Sequence, residues 1–157
     1  MHVLACIVAW IACSPLIFLA RPASAEGDAF VLYKVKPSRE AGRFGARGPV
    51  DVDNRFGVAA VDVRKPRGLG LPASIDGEAV GDAGTALAEF QVRPSRSRAP
   101  TEKVVDVSVV DRCGDSRVIL DRPTSLLVPA GVDEAQPVPA PAAHEHEVDS
   151  FLCYAAK

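Results

Sequence analysis

Apolar and polar residues alternate in several short stretches of the chain, with the period of two that a strand with one buried face requires. The clearest stretch, residues 31–36, places two valines and a tyrosine on one face. Alternation returns at 50–53 and 61–64 around Gly57, which predicts a hairpin with its turn near that glycine. Because 13 prolines and 12 glycines interrupt the chain, only one weak helical turn is expected, at 78–88. The pattern therefore predicts an all-β protein.

The same pattern occurs twice, at a fixed offset of 57 residues. Between residues 29 and 76, without any insertion, fifteen positions carry the same residue 57 positions later. A gapless match of this length indicates an internal duplication, with unit one at 28–84 and unit two at 85–135. Pro66 and Pro123 occupy equivalent positions and are expected to end the strands that precede them, because proline cannot donate to a strand ladder.

A third copy of the aromatic strand stands near the end of the sequence, where residues 151–154 resemble residues 30–33. The preceding residues, 136–147, are rich in proline and alanine and predict a semi-rigid linker. Since an added strand can cover an open sheet edge, residues 148–157 are expected to close unit two, and residues 87–93 to close unit one. The whole is predicted to be sandwich-like or barrel-like, packed either as one body or as two small ones.

The first 25 residues have the features of a secretory signal peptide. A mostly apolar run covers residues 3–20 and is interrupted by Pro15, and residues 23–25 are the small residues that signal peptidase accepts. After cleavage behind Ala25, no other segment approaches the roughly 20 apolar residues of a membrane span. The alternative is an uncleaved anchor, since the run is close to spanning length. The prediction is an extracytoplasmic protein, secreted or periplasmic.

The mature chain would carry 17 basic and 20 acidic residues. This near-neutral balance argues against nucleic acid as the main partner, because phosphate binding requires concentrated positive charge. Two groups of basic residues could contact an anionic glycan or surface polymer, although ordinary solubility explains them as well. The groups are Arg93, Arg96, Arg98 and Lys103, and Arg64, Lys65 and Arg67.

Two of the four cysteines would leave with the signal, and Cys113 and Cys153 would remain. A pair of thiols in an oxidising compartment predicts a disulfide, which would tie unit two to the terminal strand. The alternative is two unpaired thiols that lie too far apart to bridge.

The segment His144-Glu145-His146-Glu147 is the sharpest candidate for metal binding. In an extended chain residues two apart point to the same side, so His144 and His146 could hold Zn²⁺ or Cu²⁺ with a nearby carboxylate. The alternative is a solvated linker, because a structural zinc site usually has four rigid protein ligands. Residues 51–62 resemble the beginning of a calcium loop but lack its glutamate at the twelfth position.

Neither unit contains a histidine, and no glycine-rich phosphate loop precedes a Lys-Ser or Lys-Thr pair. A histidine that activates a serine or cysteine nucleophile would therefore have to come from the linker. We therefore expect a non-catalytic extracytoplasmic module without a cofactor, with a structural or binding role towards an envelope or extracellular partner. The alternatives are a secreted metal-binding protein that uses residues 144–147, and a hydrolase whose site has no recognisable motif.

Three motifs resemble a group of secreted bacterial repeat proteins of unknown function. Their units carry Phe-x-Cys-Tyr-Lys-x-Lys, Asp-Gln-Phe-Gly and Val-x-Lys-Pro-x-x-Leu-Cys-x-Pro. The corresponding residues here are 30–36, 54–57 and 63–72, and less fully 151–154. The resemblance implies a secreted repeat domain and no particular activity.

The chain departs from this family pattern at its cysteines. Unit one has Leu32 and Gly70 at the two cysteine positions, and unit two has Glu89 and Leu127. Since both members are missing in both units, the resemblance implies that the two positions are bridged in relatives and were lost together here.

Overall fold

The computed structural model describes residues 28–39, 42–98, 103–111, 113–133 and 135–157. The predicted signal peptide, residues 1–25, lies outside this part of the chain. Within it the protein is all-β, as predicted, and every strand pair is antiparallel. The seven strands are β1 (Ala29–Lys34), β2 (Arg47–Asn54), β3 (Gly57–Ala73), β4 (Ala86–Pro94), β5 (Val104–Asp111), β6 (Gly114–Ala130) and β7 (Phe151–Ala156).

These strands form one sheet in the order β1-β3-β4-β6-β5, and β2 also pairs with β3 while β7 pairs with β6. β1 and β5 stand at the two ends of this path, so the sheet is open rather than closed into a barrel. None of the described segments forms a helix long and apolar enough to cross a bilayer.

The pairing register repeats at the same offset as the sequence. Each of the six pairs between β1 and β3, beginning with Ala29 and Ala73, has a counterpart 57 residues later between β4 and β6, beginning with Ala86 and Ala130. The hairpin of β2 and β3 reappears pair by pair in β5 and β6, including its register shift. The two sequence copies therefore form the same set of backbone hydrogen-bonded ladders.

β3 and β6 are each 17 residues long and change partner along one edge. β2 covers residues 57–63 of β3, and β1 covers residues 68–73. Pro66 lies between these two stretches, and Pro123 lies between the equivalent stretches of β6. The expectation that these prolines end their strands is wrong. A residue without an N–H fits a position where one edge has no partner and the other carries a bulge.

Two clusters of buried apolar residues lie on opposite faces of the sheet. Leu126 belongs to one and its neighbour Leu127 to the other, because successive residues of a strand point to opposite sides. The first cluster joins Val61 and Val63 of unit one to Val92 and Leu126 of unit two. The two units therefore share a core, as in one body rather than two.

Curvature of the sheet brings β2 over β7, although β3, β4 and β6 separate them in the strand order. The Asn54 amide nitrogen donates a hydrogen bond of 3.0 Å to the Tyr154 hydroxyl. Arg98, after β4, makes an ion pair of 2.8 Å with Asp51 of β2. The face that carries the first cluster is thereby covered, which gives the fold its sandwich-like character.

The turn predicted near Gly57 is present, and the helical turn predicted at 78–88 is not. Gly57 has a φ of 103°, a conformation that glycine adopts without a steric penalty. In the 78–88 segment the Asp82 carboxylate accepts hydrogen bonds of 3.0 Å from the N–H groups of Gly84 and Thr85, and β4 begins at Ala86. These local bonds hold a turn and leave no room for a helix before the strand.

Candidate functional site

Two cavities lined by basic residues lie beside each other on the sheet. The first measures about 400 Å³ and lies between the end of β1 and the middle of β3. The second measures about 450 Å³ and lies between the end of β4 and the middle of β6. Arg67 and Gln91 line both cavities. The other basic lining residues are Lys34, Lys36 and Lys65 in the first, and Arg93, Arg96 and Arg122 in the second.

The two cavities are copies of one feature, because their lining residues are related by the 57-residue offset. Lys36 of the first corresponds to Arg93 of the second, and Lys65 corresponds to Arg122. Both pairs are cationic. β1 and β4 are two strand positions apart in the sheet, so equivalent points of the cavities are separated by about 10 Å.

Bulges in the long strands place these side chains. The pairing of β3 with β4 shifts register on both sides of Pro66, so that Lys65 and Arg67 have no directly opposite residue on β4. The same two shifts flank Pro123 in β6, beside Arg122. A bulge bends a strand and redirects a side chain out of the regular pleat. The repeated proline and its bulges therefore create the cavity wall in both units.

The charges of the second cavity are largely uncompensated. Arg67 lies 3.8 Å from the carboxylate of Glu89, whose side chain is 16% exposed and also accepts a 2.6 Å hydrogen bond from the Ser125 hydroxyl. No carboxylate of the described residues lies within ion-pair distance of Arg93 or Arg122. An anionic ligand would therefore meet Arg93 and Arg122 without competition from a carboxylate of the described residues.

Only some members of the two basic groups predicted from the sequence line the cavities. Arg93 and Arg96 face the second cavity, whereas Arg98 is engaged by Asp51, and Lys103 lies 3.5 Å from Asp121. In the other group Lys65 and Arg67 line the cavities, but Arg64 lines neither of them.

Sequence reasoning missed the contribution of Lys34 and Lys36, which lie about thirty residues from Lys65 and Arg67 along the chain. Only the pairing of β1 with β3 brings the two pairs together. A signal was present nonetheless, because Lys36 and Lys65 both keep a positive charge at the equivalent position of unit two.

The predicted disulfide between Cys113 and Cys153 is not formed. Cys113 precedes the first residue of β6, whereas Cys153 lies opposite Ser125 in the second half of that strand. The eleven residue-to-residue steps from Gly114 to Ser125 span about 36 Å in a straight strand, far beyond the roughly 7 Å between Cα atoms that a disulfide tolerates. Burial raises the pKa of the Cys153 thiol, and the nearby Glu89 carboxylate adds to the increase.

The positions at which the related pattern has cysteines are direct cross-strand partners. Leu32 lies opposite Gly70 in β1 and β3, and Glu89 lies opposite Leu127 in β4 and β6. Directly opposite residues have Cα atoms about 4.5–5.5 Å apart, which is within the range of a disulfide. Cys153 occupies the same repeat position as Glu89, on β7, which in the described part of the chain pairs with β6 alone.

The histidine pair does not form the arrangement that an extended chain would give. The chain turns at His144, where the Glu145 N–H donates a 2.8 Å hydrogen bond to the Ala142 carbonyl. His144 is exposed, whereas His146 is half-buried and lines a cavity together with Pro129, and its buried Nδ1 has no hydrogen-bond partner among the described residues. In the described part of the chain no three His, Cys, Asp or Glu side chains are grouped as metal ligands. This also applies to the calcium-like segment 51–62.

Asp28 and Asp82 make hydrogen bonds that hold neighbouring segments of the fold together. The Asp28 carboxylate accepts hydrogen bonds of 2.7 and 2.8 Å from the N–H groups of Gly81 and Asp82. A side-chain hydrogen bond from Thr85 is the main cause that lowers the pKa of Asp82, with further backbone bonds that include one from Glu147. These bonds tie the beginning of β1 and the linker to the loop before β4.

Comparison of the chain with protein-family models, with curated proteins and with solved structures gives no match in any of the three. The resemblance to secreted repeat proteins therefore stays a prediction.

Proposed function

We propose that this protein is a non-catalytic extracytoplasmic module that binds a polymer carrying several anionic groups along its two basic cavities. The observation that carries the proposal is their recurrence. The two cavities lie about 10 Å apart, and each is formed beside the bulges that flank its proline, Pro66 or Pro123. Lys36 and Lys65 of the first cavity correspond to Arg93 and Arg122 of the second, so the positive charge is present in both copies. Ordinary solubility would not require cations to converge on two equivalent cavities.

The lining residues favour binding over catalysis. Neither cavity is lined by a histidine, cysteine, aspartate or glutamate, the side chains that most often act as nucleophile, acid or base. Lys65, Arg93 and Arg122 can donate charge-assisted hydrogen bonds to carboxylate or phosphate groups. A polymer that spans both cavities gains from the high effective concentration of its second charged group.

Titration calorimetry with two polymers tests the proposal and separates the ligand chemistries: polygalacturonate, which carries carboxylates, and polyphosphate. We expect binding of at least one, weaker at higher ionic strength because salt screens exposed charges. Arg122→Glu should lower the affinity about tenfold or more, since a hydrogen bond to a charged group contributes roughly 1.5–3 kcal/mol.

Arg64→Glu is the matched control. Arg64 is exposed on β3 and its reversal changes the net charge equally, but it lines neither cavity, so the affinity should change little. Equal losses in both variants would reduce the effect to overall charge. Absence of binding to either polymer at low salt would reject the proposal.

A further inference from the structure

β1 and β7 are both copies of the repeat strand, and in the described part of the chain each is paired along one edge only. β4, the copy between them, is paired along both edges, with β3 and with β6. β1 therefore lacks the neighbour that β3 provides for β4. β7 lacks the neighbour that β6 provides for β4.

β1 exposes several large apolar side chains. Val31, Leu32 and Tyr33 are 47%, 54% and 54% exposed, and the one charged residue of β1 is Lys34, at its end. Natural edge strands are commonly protected from pairing by charges, proline or a bulge. The equivalent residues of β4 are half-buried between two long strands. β1 thus has the exposed surface of an inner strand whose neighbour is missing.

Two copies of the repeat strand pair in the same register with the long strand that precedes them, β4 with β3 and β7 with β6. We call this pairing position on the edge of the long strand the seat. Phe90 of β4 lies opposite Pro66, and Tyr154 of β7 lies opposite Pro123, with a register shift on both sides of each proline. The outer edge of β6 therefore accepts a repeat strand in the same register as β3 does.

β1 matches β7 in sequence at this seat. Tyr154, which lies opposite Pro123, corresponds to Tyr33 of β1, and the flanking positions of the two strands carry residues of similar size. The corresponding residues are Phe30 and Phe151, Val31 and Leu152, and Tyr33 and Tyr154.

We propose that the outer edge of β6 is a seat for which β7 and the β1 strand of a second copy of this chain compete. While β7 is paired with β6 of its own chain, it blocks the addition of another copy at that edge. When it leaves β6, β1 of another copy takes its place, and copies add head to tail as one continuous sheet. The contact that forms between copies repeats the one between β3 and β4 within a copy.

The strand that replaces β7 has to come from another molecule. Within one chain β1 is fixed on β3, and three strand spacings, about 14 Å, separate it from β6. The linker of residues 136–147 tethers β7 near its seat at an effective concentration in the millimolar range. We therefore expect copies to associate at high protein concentration, or at lower concentration when β7 is weakened.

Cysteine trapping tests this exchange in the chain without its predicted signal peptide, residues 26–157, with Cys113→Ser and Cys153→Ala as background so that no native cysteine remains. Leu152 lies opposite Leu126, so an incoming β1 would place Val31 opposite Leu126. The combination of Val31→Cys and Leu126→Cys should give a ladder of disulfide-linked species on non-reducing gels after mild oxidation. Adding Leu152→Asp, which weakens β7, should increase the ladder severalfold.

Two matched controls fix the register and the competitor. Leu32→Cys with Leu126→Cys places the thiol on the opposite face of β1 and should give no ladder. Leu152→Cys with Leu126→Cys should close within the chain, lock β7 on β6 and keep the protein monomeric in sedimentation at all concentrations.

A ladder of equal strength with Leu32→Cys would overturn the proposed register. Absence of a ladder in the weakened variant, while circular dichroism shows a folded protein, would overturn the exchange itself. If Leu152→Asp does not fold, Tyr154→Phe replaces it, because loss of the bond to Asn54 weakens β7 without placing a charge in the core.

Discussion

β4 and β7 lie in the same register on successive long strands, but they are held very differently. β4 is clamped between β3 and β6, and its Leu87 is 2% exposed. β7 pairs with β6 alone, and Phe151, which occupies the position of Leu87, is 47% exposed. The same strand motif is therefore a core element in one place and a cover in the other. Its place in the array, rather than its own residues, decides how much it contributes to stability.

The largest expected effect is the difference in stability lost when equivalent side chains of β4 and β7 are truncated. Leu87→Ala should destabilise the protein by about 2–5 kcal/mol, because it opens a cavity in the second buried cluster. Phe151→Ala, the matched change in β7, should cost much less, since nearly half of that side chain is already in water. Urea unfolding of both variants measures the difference. Similar losses would show that β7 is as deeply integrated as β4.

A smaller effect isolates the attachment of β7 to β2. Tyr154→Phe removes the hydroxyl that accepts the hydrogen bond from Asn54 and should cost about 1 kcal/mol. Tyr33→Phe is the control, because Tyr33 occupies the same repeat position in β1 and is 54% exposed. Thermal unfolding should show a lower melting temperature for the first variant and little change for the second.

The smallest effect concerns the thiol of β7. Burial and then Glu89 raise the pKa of Cys153 above its ordinary value of 9.0, so we expect slow alkylation by iodoacetamide at pH 8, slower than that of the exposed Cys113. Glu89→Gln should accelerate the reaction of Cys153 by removing the nearby negative charge. Mass spectrometry of the labelled peptides gives both rates. Faster reaction of Cys153 than of Cys113 would contradict the partial burial of the Cys153 thiol.

The sign of the pH dependence follows from the same shift. A raised pKa in the folded state means that folding keeps the Cys153 proton longer than the unfolded chain does. Its contribution to stability is therefore fully present below the unfolded value and is lost as the pH rises through the folded value. Unfolding measured in alkaline buffer should show this loss in the native protein and less of it in Cys153→Ala.

Much of the fold could be predicted from residue types because the duplication repeats local signals. Alternating apolar residues predicted the strands, and Gly57 predicted the first hairpin turn. Pro66 misled the prediction, since the rule that proline ends a strand applies where both edges are paired. At Pro66 the partner on one edge changes from β2 to β1, which no local pattern reveals.

The candidate site was predictable only in part. The loop group that contains Arg93 and Arg96 was visible as a local excess of positive charge. Its combination with Arg122 depends on the pairing of β4 with β6 and on the bulges around Pro123. The predictions for Cys113 and Cys153 failed for a related reason, because a strand of 17 residues carries its two ends far apart.

By itself, the sequence determined the all-β class, the 57-residue offset between similar positions and a third similar strand at residues 151–154, because hydrophobic period and self-similarity can be read from residue types alone. The tertiary structure alone decided which copies are clamped and which have an open edge, and where the basic side chains converge. Both depend on pairing between strands that lie far apart in the chain, so the same strand motif is buried as β4 and half-covered as β7.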